Sequence, residues 1–245
     1  STTALASADL ALGAAADAAD IVIGNGGILT ANASTVLINA FTMTGGTSGT
    51  LTITTGAWTV SGSWNSSGAS SVFTQGTGIH TFDATATITL LSTDNTFDDL
   101  TISAGTATLA SAVIVTNALT ISGGTFAKGT NAITSAGSLT MSGGDLTSTS
   151  GAVAITGAMN ISAVGSAIDF GSEAWTVSGA FDCASTDTAV WEAGTGSILF
   201  DSATGDASFT PCNFTSENQF NNVEFDSSAT TAQTWTLATS ALVFG

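Results

Sequence analysis

The sequence predicts an all-β protein and, within that class, a parallel β-solenoid, either a β-helix or a stack of β-arches. Three observations predict it. Thr, Val and Ile are abundant, whereas Glu, Lys, Gln and Arg, the residues that coat exposed helix surfaces, are nearly absent. Short runs alternate apolar and polar residues with the two-residue period of a strand. Those runs return about every 20 residues and are followed by Gly-rich turns. A chain of 245 residues, 43% of them hydrophobic, is too apolar for disorder and long enough for a large core.

Taken in order, the first element is the Ala-rich segment 1–20, read as a short helix, an irregular first coil or a cap. Gly13 interrupts it, and no basic residue supports a helix end there. Residues 21–245 read as one continuous solenoid. Its clearest rungs are Leu100-Thr101-Ile102-Ser103, Leu119-Thr120-Ile121-Ser122, Leu139-Thr140-Met141-Ser142 and Met159-Asn160-Ile161-Ser162, which start 19, 20 and 20 residues apart. Trp175-Thr176-Val177-Ser178 repeats the pattern. In each run the two apolar residues point one way and form a core ladder: Leu100 and Ile102, Leu119 and Ile121, Leu139 and Met141, Met159 and Ile161, Trp175 and Val177. Gly123-Gly124 and Gly143-Gly144 turn the chain between rungs. No single rung could bury its own apolar face, so the rungs must stack.

A larger repeat overlies the short one. LTITTGAWTVSG from Leu51 matches IDFGSEAWTVSG from Ile168, an offset of 117 residues, and VFTQGTGIHTFD from Val72 matches VWEAGTGSILFD from Val190. Related copies therefore span 51–123 and 168–245, and a uniform period of 20 gives about twelve coils. The second copy reaches Gly245 without a polar cap. An open solenoid end is a row of unpaired backbone groups, so a neighbouring copy of the same chain is the expected partner.

Charge narrows the function classes. With 18 Asp and Glu against a single cation, Lys128, the formal charge is −17. No basic patch exists to neutralise phosphates, so nucleic acid is excluded as a partner, and the same shortage weakens any hold on anionic lipid. No apolar run is long enough for a membrane-spanning helix, so membrane insertion is not expected. Enzymes are disfavoured too, because phosphoryl transfer wants Lys or Arg clamps and acyl transfer commonly wants a His base. His80 is the only histidine and reads as a surface or turn residue. Trp58, Trp64, Trp175, Trp191 and Trp235 read as core filling.

Cys183 and Cys212 occur together in the second copy only, and a disulfide is the preferred reading, with free buried thiols or a bond between subunits as alternatives. Asn32, Asn65, Asn160 and Asn213 head N-x-[ST] triplets and are glycosylation candidates, with Asn160 turned outward by its strand. Ten of the 18 acids lie between Asp169 and Asp226, and none lies between Ile21 and Phe82. Asp94, Asp98 and Asp99 are weak candidates for a divalent cation such as calcium; otherwise no cofactor or metal is expected. The pairs Thr101/Ser103, Thr120/Ser122 and Thr140/Ser142 form an outward hydroxyl ladder similar to the face of ice-binding solenoids, although any exposed strand favours Thr.

The segments LTISGG, LTMSGG, AWTVSG and FDDLTIS resemble secreted Thr/Gly-rich repeat proteins of microbial cell surfaces: adhesin-like solenoids, surface-layer proteins and archaeal sheaths. That resemblance implies an exported, non-catalytic subunit, mature from Ser1 after signal removal, that polymerises into an extracellular sheath, surface layer or filament. A stalk of a phage or bacterial adhesin fibre is the alternative, and an ice- or glycan-binding solenoid a third reading.

Overall fold

The chain is all-β. The computed structural model describes residues 2–5, 10–11, 20–33, 35–43, 49–91, 96–135, 137–162, 165–184, 191–192, 194–202, 207–210, 212, 221–226 and 235–237. Every strand pairing among them is parallel, and no helix occurs among them. Parallel strands need a crossover connection, and here each turn of the chain provides it by running through three strand positions before returning one layer further on. The result is a β-solenoid with three faces.

The second face carries the longest unbroken register. It runs Leu10, Val36, Trp58, His80, Leu100, Leu119, Leu139, Met159, Phe181, Phe209, Leu237, each residue paired with the next. The first face has two stretches, Leu29–Leu51–Phe73 and then Phe97–Val115–Ser135–Ile155–Val177–Phe200–Phe225. On the third face Phe41 stacks on Trp64, Trp64 on Ile88 and, further along, Phe126 on Leu146 and Leu146 on Ile168. Register partners on the second face lie 22 residues apart at Trp58 and His80, 19 apart at Leu100 and Leu119, and 28 apart at Phe181 and Phe209. The turns are therefore longer, and fewer, than a uniform period of 20 predicts. Corners absorb the extra residues while the strand positions stay in register.

Inward positions from all three faces merge into one apolar core. Leu100, Ile102, Leu119, Ile121, Leu139, Met141, Met159, Ile161, Trp175 and Val177 are all buried in it. Two-residue alternation puts them there, and each rung covers the one before. Corners stack as tightly as strands. Gly105, Gly124 and Gly144 adopt φ of 66°, 66° and 70° in successive layers, and a Cβ on Gly124 would run into the carbonyl of Gly105. Both the left-handed backbone and the close approach require glycine there.

The copies related by 117 residues do not sit on the same face. Ala57–Val60 lies on the second face, whereas Ala174–Val177 lies on the first. The offset falls one face short of a whole number of turns, since the second-face partner of that later turn is Phe181, six residues beyond Trp175. Inward and outward positions survive this shift because every face alternates with the same period. In the segment 1–20, Thr2–Leu5 and Leu10–Ala11 are strands paired to the next turn, and the rest up to Ala19 lies outside the described residues.

Candidate functional site

The two basic side chains of this acidic protein are both inside it. Lys128 follows Phe126 by two residues in the strand Val113–Gly129, which turns it inward at a corner. Its Nζ donates to the backbone oxygens of Asn131 at 3.0 Å, Ser150 at 2.6 Å and Gly151 at 2.7 Å. It also pairs with Glu173 Oε1 at 3.1 Å, both side chains being almost wholly out of water. Ser148 Oγ donates to the same carboxylate oxygen. Desolvation pulls Lys128 below the ordinary lysine range, while the hydrogen bond and charge of Glu173 and the charge of Asp169 hold it up. An ammonium with four oxygens around it is fully satisfied, and it ties three successive corners of the solenoid together.

His80 is also buried, which corrects the expectation of a surface or turn position. The alternation of Ile79-His80-Thr81-Phe82 turns His80 to the same side as Phe82, and both are fully enclosed. Trp58 stacks on its ring at a centroid distance of 6.0 Å, Trp64 meets it edge-on at 5.1 Å, and Phe73 and Phe97 lie at 5.8 and 4.9 Å. Neither Nδ1 nor Nε2 has a hydrogen-bond partner, and Trp58 Nε1 beside it has none either. Burial without a compensating charge lowers the imidazole from 6.5 to about 3, so it is neutral at ordinary pH. By contrast Trp64 Nε1 donates to Ser66 Oγ and Trp175 Nε1 to the Phe170 carbonyl, each at 3.2 Å. Trp58, Trp64 and Trp175 fill the core, while the side chains of Trp191 and Trp235 lie outside the described residues.

Cys183 and Cys212 form a disulfide within the chain, with Cα atoms 4.6 Å apart and a sequence separation of 29. The bond joins inward positions of successive turns. Among the glycosylation candidates, Asn32 and Asn160 are exposed, and Asn65 is partly buried with its Oδ1 accepting from Ser67 N and Oγ. Asn213 lies outside the described residues, as does Asp94. Asp98 accepts from Thr116 Oγ1 at 2.9 Å and Asp99 from Asn117 Nδ2 at 2.7 Å, so both carboxylates knit one turn to the next. No group of three or more metal-ligating side chains occurs among the described residues.

Outward on the second face, Thr59, Thr81, Thr101, Thr120 and Thr140 line up turn on turn, and Asn160 and Asp182 continue the column. The companion serines are engaged differently. Ser103 Oγ and Ser122 Oγ donate back to the carbonyls of Phe82 and Ile102 in the preceding turn, at 3.3 and 3.4 Å. Two of the ladder's three serines, Ser103 and Ser122, are thus turned back onto the backbone.

The buried lysine network was missed by sequence reasoning, since its oxygens come from three different corners. His80 carried a signal, its alternation with Phe82, that outweighs the preference of histidine for surfaces. The architecture defines a three-faced parallel β-solenoid. No family model matches the chain, and neither a curated protein nor a solved structure matches it.

Proposed function

We propose that this chain is a non-catalytic structural subunit that assembles with copies of itself by β-sheet stacking, in an extracellular sheath, surface layer or filament. One observation carries the proposal. On the first face, Val177, Phe200 and Phe225 occupy the same inward column in successive turns; the first two are fully buried, whereas Phe225 is 37% exposed. The strand Asn222–Asp226 pairs in parallel and in full register with Ser197–Asp201, so this sheet repeats one backbone spacing turn after turn up to a parallel edge. Such an edge suits a further parallel strand, and a second copy presents strands of the same pitch and register. The resemblance to secreted Thr/Gly-rich repeat proteins points the same way and supplies the extracellular setting.

Electron microscopy and light scattering of the purified chain test this. A lattice, tube or filament with the solenoid axis along the contact is expected, and Phe225→Asp should shorten or abolish it. Isolated fibres with terminal knobs would favour the adhesin stalk instead. A monodisperse monomer at high concentration overturns the proposal.

A further inference from the structure

We infer that His80 is an acid-operated release built into the core of the solenoid: once protonated, the imidazole cannot remain in its aromatic cage, and the turns packed around it come apart. The geometry carries this, whether or not the chain assembles. Four aromatic rings enclose His80, it has no exposure to water, and both ring nitrogens lack partners. A cationic ring would bring a second N–H donor and a full charge into a space without an acceptor.

Among the described residues, no neighbouring element offers a compensating charge. The strands Ala57–Val60, Trp64–Ser66 and Val72–Gln75 hold no titratable side chain. On Thr96–Ile102, Asp98 and Asp99 face outward to Thr116, Asn117 and the Ala118 amide. Asp83, just after the histidine's own strand, accepts from Ser61 Oγ at 2.7 Å. The cage also spans several turns, since Trp58, His80 and Leu100 are register partners. Opening it therefore unpacks a block of the solenoid rather than one side chain.

The sign follows from the shift. The unfolded chain takes up its imidazole proton near 6.5 and the folded one only near 3. Stability from the neutral ring is complete above about 6.5, falls as the pH drops towards 3, and is level below that.

The test compares the full-length chain with His80→Ile and His80→Phe in urea, followed by circular dichroism at pH 7 and pH 4. Between those two values the unfolding constant of the wild type should rise roughly 200-fold more than that of either variant, the carboxylate contributions being common to all three. Hydrogen exchange at pH 4 should show amides of 57–102 losing protection before those of 174–200. Parallel loss of stability in wild type and variants overturns the inference. A folded-state imidazole titration near 6.5, read from its ring proton resonances, overturns it equally and needs no variant.

Discussion

The related stretches beginning at Leu51 and Ile168 solve one packing problem with different chemistry. Both put a tryptophan from AWTV into the core, Trp58 on the second face and Trp175 on the first. Around that shared anchor three inward or corner positions diverge. Gly56 is matched by Glu173, Ser66 by Cys183 and His80 by Ile198. The earlier copy thus encloses an unpartnered imidazole, whereas the later one carries half of a buried ion pair, a disulfide and plain aliphatic filling. Backbone ladders tolerate either solution because the hydrogen bonds between turns do not depend on which side chains fill the interior. What differs is the response to acid and to reducing agents. The earlier copy is the acid-sensitive region, and the later one is held by a covalent bond and a charge pair.

The largest effect expected comes from giving the later copy the corner residue of the earlier one. Glu173→Gly strips the counter-charge from Lys128 and leaves a buried ammonium facing carbonyls alone, which should cost about 3–5 kcal/mol in urea unfolding. Lys128→Met in the same background should recover most of that loss, because no uncompensated charge is then left inside. If the double variant is as unstable as the single one, the corner depends on packing rather than on charge. Cys183→Ser comes next. It restores the hydroxyl found at Ser66 and removes a link closing a 29-residue separation, worth about 3–4 kcal/mol on the chain-entropy account. Reducing the wild type with a thiol should produce the same drop in denaturation midpoint. His80→Ile, which copies Ile198, should act the other way. At pH 7 it removes buried nitrogens that have no partners, so the unfolding free energy in urea should rise by about 1–3 kcal/mol if no new strain appears.

Much of this fold was legible because alternation and stacking are local rules. Leu119-Thr120-Ile121 declares its inward and outward residues by itself, and a 20-residue return of such runs implies rungs. The number of faces was not legible, since it depends on how sharply each corner bends. Gly123-Gly124 marks a turn, yet the strand Val113–Gly129 runs straight through it on three faces. The offset of 117 residues looked like a domain duplication, and the face shift appears only when the lengths of the intervening turns are known. Lys128 was illegible for a different reason. Its burial is made tolerable by oxygens at Asn131, Ser150, Gly151 and Glu173, and nothing near Lys128 in sequence reveals that convergence. The disulfide was inferred from two cysteines appearing together in one copy, an inference that needed no geometry.

The smallest effect concerns the threonines that follow the shared tryptophans. Thr59 stands outward between Leu37 and Thr81, and Thr176 outward between Ala154 and Leu199. Both are half-buried by neighbours in their own sheets, and neither faces the core. In the isolated chain, Thr59→Ala and Thr176→Ala should each cost less than about 1 kcal/mol, the span of strand preference at a solvent-facing site. The two values should also agree within about 0.5 kcal/mol, since the substitutions are chemically identical and share no partners. Repeating the pair in assembled material then reads out which face is covered. A substitution that remains neutral in the assembly marks a face still in water, whereas one that lowers the dissociation temperature of the assembly marks a face against another copy. Contact purely along the solenoid axis leaves both neutral, because Thr59 and Thr176 each lie in an interior turn with register partners on both sides.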